Sequence, residues 1–176
     1  FYGEVSFSKQ IKINFKENNN VNISKENYKL IKFENEIDKL LIEAEENGEL
    51  AIDTETTSLD PHTAKLVGIS ASINVGSAVY MPLGHSTGEN LNENKVLKKL
   101  KLILEDKSIK KIGQNIKFDY IVFKNRGIDM HPIEDTMLMS YVLDAGKNRH
   151  NMDTLSQIHL DHKTISYKDL VGTGKK

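Results

Sequence analysis

The sequence predicts an α/β protein built on a mixed sheet with helices on both faces. Three observations lead there. A short apolar run, Leu50-Ala51-Ile52, is followed by two alternating segments, Lys65 to Val75 and Ala78 to Leu83, which read as a three-stranded meander. Further along, strand-like runs alternate with segments of helical period, as in a sheet with packed helices. At 176 residues, with 38% hydrophobic side chains, the chain can bury one real core and is too short for two comfortable domains.

Residues 1–27 carry little pattern: Gln10 to Phe15 alternates weakly, and Lys16 to Asn22 is polar and Asn-rich. That stretch reads as a tether, with the domain proper over residues 28–176. Tyr28-Lys29-Leu30-Ile31 reads as a short edge strand. Ile37, Leu40, Leu41 and Ala44 repeat at helical spacing within residues 34–47, and Gly48 closes the segment. The apolar run at Leu50 predicts a central strand covered on both sides. Gly76-Ser77 supplies the turn between the next two strands. After a polar loop from Gly84 to Asn94, Val96, Leu97, Leu100, Ile103 and Leu104 mark a second helix. Lys111 to Asn115 reads as a strand, Lys117 to Arg126 as a helix ended by Gly127, and Ile128 to Glu134 as a last strand. Helices over Thr136 to Leu143 and Met152 to Leu160 complete the series.

Composition removes several classes of function. With no cysteine, disulfide partners and thiolate metal sites are excluded. No apolar run approaches the length of a membrane span, so no membrane partner is expected. A net charge of −1 is far from the strongly basic balance of a protein that grips duplex DNA through its backbone. A nucleic-acid substrate would be held locally, by a short end. The six histidines lack zinc-ligand spacing, and no Ser-His-Asp constellation is evident. The chain opens on Phe1, which suggests part of a longer polypeptide.

The chemistry-bearing stretch is Asp53-Thr54-Glu55, where the central strand breaks. Residues two apart on a strand point to one side, with Cα atoms roughly 6 to 7 Å apart. Such a pair can bracket two divalent cations about 3.5 to 4 Å apart, the geometry of two-metal phosphodiester chemistry. Carboxylate oxygens suit magnesium or manganese. Equal spacing at Glu34/Glu36, Glu36/Asp38 and Glu43/Glu45 belongs to a solvated helix face, so spacing alone leaves both readings open. A second acid, Asp119, falls in the first turn of a helix leaving a strand, where the helix dipole favours negative charge. That is also an ordinary place for a structural acid.

Five segments in order carry a resemblance. They are Asp53-Thr54-Glu55-Thr-x-x-Leu59, Gln114-Asn115-x-Lys117-Phe118-Asp119, Asp135-Thr136-Met137-Leu138-x-Ser140-Tyr141, Arg149-His150-x-Met152-Asp153-x-Leu155 and His162-Lys163-Thr164-Ile165. Together they resemble the 3′–5′ proofreading exonuclease domain of bacterial family A DNA polymerases, of the DNA polymerase I type, within the DEDD exonucleases. The resemblance implies a ribonuclease H-like (DnaQ-like) fold with a five-stranded mixed sheet in the order 3-2-1-4-5. It implies two divalent cations, Mg²⁺ or Mn²⁺, with Asp53 bridging both, Glu55 on the first and Asp119 on the second. Leu59 would wedge against the terminal base. Gln114, Asn115, Phe118 and Arg149 would help hold the substrate strand, with Tyr167 near the frayed end. Ordinary packing remains the alternative for Leu59 and Tyr167. The implied partners are a single-stranded or frayed 3′ end of DNA and the polymerase domain of the same parent chain. The implied setting is a cytoplasmic, nucleoid-associated monomer.

One part of the family pattern is missing. A Tyr-x-x-x-Asp motif should supply a fourth acid, yet none of Tyr2, Tyr28, Tyr80, Tyr120, Tyr141 and Tyr167 has Asp four residues on. The family places that motif after the segment here reading Gly172-Thr173-Gly174-Lys175, so the sequence is expected to stop short of it. Two other readings stay open: a catalytically silent domain that braces the polymerase or binds DNA, and an RNA-processing exonuclease of the same superfamily.

Overall fold

The computed structural model describes residues 27–165, and its centre is β2, Glu49–Thr56. Strand β3, Leu66–Ser72, pairs antiparallel to it on one side, with Asp53 opposite Ser70 and Glu55 opposite Gly68. Strand β5, Lys110–Gly113, pairs parallel on the other side, the last partners being Ala51 and Ile112. Outward from β3 come β4, Ala78–Pro82, and then β1, Tyr28–Leu30; outward from β5 comes β6, Ile133–Asp135. The sheet order is β1-β4-β3-β2-β5-β6.

Six strands thus stand where five are implied. Counted from β2, the inner five follow the expected 3-2-1-4-5, and the extra strand is the short edge piece at Tyr28, hydrogen-bonded in parallel to β4.

One face of the sheet carries the core. Leu50, Ile52, Ile69, Ala71 and Met81 meet Ile37, Leu40, Leu41 and Ala44 of α1, Ile37–Asn47. They also meet Val96, Leu97, Leu100, Ile103 and Leu104 of α2, Glu93–Leu104. These two helices form because their apolar residues recur at three- and four-residue spacing. Gly48 ends α1 in the left-handed conformation at φ 72°, and the Asn92 side chain caps α2 by accepting from the Lys95 backbone N–H. Helix α3, Lys117–Lys124, adds Val122 and Phe123 to the same core.

The opposite face is different. Ala51 is exposed although its apolar neighbours Leu50 and Ile52 are buried, so the apolar run does not mark burial on both sides of the strand. Around it Asp53, Ser70, Ser72, Ala78, Ile112 and Met152 of α5, Met152–Leu160, line a shallow hollow of ≈ 280 Å³. Helix α4, Thr136–Asp144, leaves Leu138, Val142 and Leu143 exposed among the described residues.

Two strand boundaries differ from expectation. Lys65 to Val75 shortens to Leu66–Ser72, because Asn74 accepts from the Ser77 backbone N–H and the chain turns there. Ile128 to Glu134 shortens to Ile133–Asp135. Ile128 and Met130 alternate inward like a strand, but the His131 N–H bonds the Leu104 carbonyl at the end of α2 and not a strand partner. No helix among the described residues is long and apolar enough to cross a membrane.

Candidate functional site

β2 and β5 run parallel, and β2 continues past β5 at its carboxyl end. β2 also has its two partners on opposite sides, one antiparallel and sequential, one reached by crossover. Open α/β sheets bind ligands at such points, outside the carboxyl ends of strands. The Thr54 N–H lies beyond the last β2–β5 pair, and no strand takes it. Asp119 Oδ1 does, at 2.8 Å, and also accepts from Thr54 Oγ1 at 2.5 Å.

Asp119 is therefore buried, 3% exposed, in the first turn of α3. Burial pushes its carboxyl up, while the Thr54 hydroxyl and N–H pull it back down. Asp53 and Glu55 flank Thr54 and, by strand alternation, stand on the other side of β2. The Asp53 carboxyl is pushed up to about 6, chiefly by burial, then by Asp119 and Glu55. A bulge after Glu55, where Thr56 steps to Leu66 and skips Val67, ends the regular pairing.

These acids border a groove of ≈ 700 Å³ lined by residues 53–59 from the end of β2 and the loop after it, and by Gln114, Asn115, Phe118 and Asp119 from the start of α3 and the turn before it. Leu59 is 97% exposed, so packing does not explain it. Phe118 is partly buried against the core with part of its ring left to the groove.

Gln114 is committed at both ends: Nε2 donates to the His150 carbonyl at 2.8 Å, and Oε1 accepts from Thr136 Oγ1 at 2.6 Å. Asn115 holds a left-handed backbone at φ 59°, and its N–H bonds Asp135 Oδ1 at 2.9 Å. Arg149 is exposed and is not among the residues lining the groove; its link to the site runs through the adjacent His150 carbonyl. Tyr167 lies outside the described residues.

Sequence reasoning missed two supports. Thr54 was read only as the spacer between two acids, though its inward direction follows from the alternation. Asp135, buried and capping α4 while fixing Asn115, opens one of the family-like segments, but its bond to Asn115 has no signal in the sequence.

As donors, the three carboxylates fit a hard divalent cation in chemical type, and a cation would offset the Asp119 and Glu55 share of the upward push on Asp53, the smaller share beside burial. They fall short in convergence. Among the described residues no group of three or more His, Asp or Glu side chains is close enough to hold an ion by itself. The expected three-ligand set is thus looser than a closed site, since Asp119 is turned to Thr54.

The architecture matches known nucleases. RNase D of Escherichia coli, an exoribonuclease, superposes with a TM-score of 0.65 over 85% of this chain and 39% of that one, at 18% identity. Brucella melitensis NrnC with bound Mg²⁺ gives 0.59 over 85% and 67%, at 24% identity. The fold is that of the ribonuclease H-like exonucleases.

The sequence narrows this further. A family model described as 3′-5′ exonuclease matches residues 28–176. DNA polymerase I of Rhizobium leguminosarum is 42% identical over an alignment covering 79% of this chain and 16% of that protein. The chain belongs to the 3′–5′ exonuclease family found in bacterial DNA polymerase I. It spans about one-sixth of the length of that relative, the 16% just given.

Proposed function

We propose that this domain removes nucleotides one at a time from the 3′ end of single-stranded or frayed DNA, as the proofreading part of a longer DNA polymerase. The observation that supports this best is the gathering of Asp53, Glu55 and Asp119 along one groove at the open carboxyl end of β2. Asp53 is pushed up to about 6 in a groove that also presents Glu55, Asp119 and the exposed Leu59. Asp53 and Glu55 would hold one divalent cation, and Asp53 with Asp119 a second. Bound there, Mg²⁺ or Mn²⁺ supplies Lewis acidity that makes water a better nucleophile and stabilises charge on a leaving oxygen.

The chain's own groups do the rest. Leu59 and Phe118 both line the groove and offer apolar surface for the terminal base. Gln114, tied between Thr136 and His150, fixes the floor that the strand crosses, and exposed Asn115 offers its side chain to the backbone. Arg149 reaches the phosphates only further along, outside the groove. Three loosely converging carboxylates are a short donor set for two ions, so residues 1–176 on their own should bind them weakly.

The test is stepwise shortening of 5′-labelled single-stranded DNA from its 3′ end by the full-length protein, with and without Mg²⁺. Asp53→Ala should lower the rate by about 10³-fold or more, the several kcal/mol of charge stabilisation that ion catalysis supplies. A wild-type protein that leaves DNA intact but digests RNA would favour the RNA-processing reading. Mn²⁺ binding without digestion of either would favour a silent domain.

A further inference from the structure

Beside the acids, on the open face of the sheet, a tyrosine is held in an unusual way. Its phenol lies over Gly68, where a Cβ would collide with the hydroxyl, so only glycine leaves room for it there. Gly68 is the register partner of Glu55. Side chains directly opposite on antiparallel strands share one face, so the Tyr80 phenol over Gly68 stands on the Glu55 face of the sheet, within reach of the Glu55 charge, while its hydrogen-bond partner is His85. Burial, and after it the Glu55 charge, pushes the phenol up.

The far side of that hydroxyl is also fixed. Tyr80 Oη is 2.8 Å from His85 Nε2, and the two rings meet edge to face with centroids 5.7 Å apart. His85 is clamped in turn: its backbone N–H donates to Asn90 Oδ1 at 2.9 Å, and Asn90 Nδ2 donates to the His85 carbonyl at 2.9 Å. A hydroxyl has one hydrogen to give. If His85 accepted it, the phenol would turn lone pairs toward a carboxylate. If His85 donates from Nε2, the phenol hydrogen is free for Glu55.

We propose that Tyr80 is a positioning residue for Glu55: His85 Nε2–H donates to the phenol oxygen, and the phenol donates to one Glu55 oxygen. The other oxygen is thereby aimed into the groove. This rests on the reading of Glu55 as an ion ligand. It assigns work to a strand and a loop that carry none of the acids, and it explains why Gly68 stands opposite one of them.

The experiment compares Tyr80→Phe, His85→Ala, His85→Gln and Asp53→Ala in the full-length protein. Mn²⁺ binding is followed by electron paramagnetic resonance, beside thermal melting and exonuclease rate. Losing one hydrogen bond to a charged ligand should weaken Mn²⁺ binding about tenfold in Tyr80→Phe, with melting unchanged. His85→Ala should lose a similar factor. His85→Gln, whose amide N–H₂ replaces the Nε2 donor, should recover most of it. Wild-type Mn²⁺ affinity in Tyr80→Phe overturns the assignment, and equal losses in both His85 variants overturn the donor direction it requires. If Asp53→Ala keeps full Mn²⁺ binding and activity, the exonuclease reading of the site falls, and this assignment with it. If only Asp53→Ala fails, the positioning role falls alone.

Discussion

Replacing Asp53 by Asn should make the ion-free chain more stable at alkaline pH while removing the proposed activity. The Asp53 carboxyl moves from 3.8 to about 6 on folding, through burial and then through Asp119 and Glu55. A group raised on folding binds more protons in the folded chain than in the unfolded one between those two values. Its contribution is therefore most favourable below about pH 4 and is lost as pH rises through about 6. The gap is equivalent to ~3 kcal/mol at about 1.4 kcal/mol per pH unit. Asp53 stands on the open face of the sheet, where water screens the interaction, so about 1 to 1.5 kcal/mol should remain. Asn keeps the shape and removes the charge. In urea melts with chelator present, Asp53→Asn should match wild type near pH 4 and exceed it by about 1 to 1.5 kcal/mol at pH 8. In thermal melts that is roughly 3 °C for a chain of this size. Excess Mn²⁺ should reverse the order, since only wild type then gains binding energy. A variant that is less stable than wild type at pH 8 without ions would refute the reasoning, because it would mean that the Asp53 charge is compensated and not opposed.

Two further substitutions test the scaffold. Thr54→Val removes the 2.5 Å hydroxyl bond to Asp119 and keeps the shape, leaving only the backbone N–H at 2.8 Å; urea melts at pH 8 should show a loss of about 1.5 to 3 kcal/mol. That loss should shrink in acid, where Asp119 takes a proton and no longer needs two donors. Lys111 is fully buried and donates from Nζ to the carbonyls of Ile103, Asp106 and Ile109, tying the end of α2 to β5; burial holds it down to about 8, which leaves it a cation at neutral pH. Lys111→Met strands those carbonyls and should cost about 3 kcal/mol or more, measured as a lower urea midpoint.

The helices were the most legible part of this sequence. Ile37, Leu40, Leu41 and Ala44 form one stripe, and a stripe of that period can be buried in only one way. Helix α5 begins and ends where its pattern does, at Met152 and Leu160. Strand ends were harder, because inward alternation continues after pairing stops, as Ile128 and Met130 show. Ala51 misled for a related reason: a methyl group is equally at home against a helix or facing an open hollow. Lys111 left no trace at all. Its partners are main-chain carbonyls, which look alike at every position, so nothing in the residue string says that this lysine is inside. Among the site residues, the three acids were visible as types in place, whereas Thr54 and Asp135 matter through tertiary contacts whose other halves lie 65 and 20 residues away.

Those two contacts also show how crowded acids can be tolerated. Strand alternation turns Thr54 away from Asp53 and Glu55, and from there it secures Asp119 with two donors. Asp135 secures the turn before α3 through the Asn115 N–H, while its second oxygen, Oδ2, is buried without a partner. Neither contact uses Asp53 or Glu55, so the framework closes without a bond from the pair that repels. The core built from α1, α2 and β2–β4 lies on the opposite face of the sheet and takes no part in that repulsion. Asp119 is thus placed before any ion arrives, whereas an ion binding at Asp53 would have to displace the proton that its raised carboxyl favours. The share of the Asp53 shift that comes from Asp119 and Glu55 is repulsion that a bound cation would offset, which is why one substitution should raise the stability of the ion-free chain and abolish the proposed affinity.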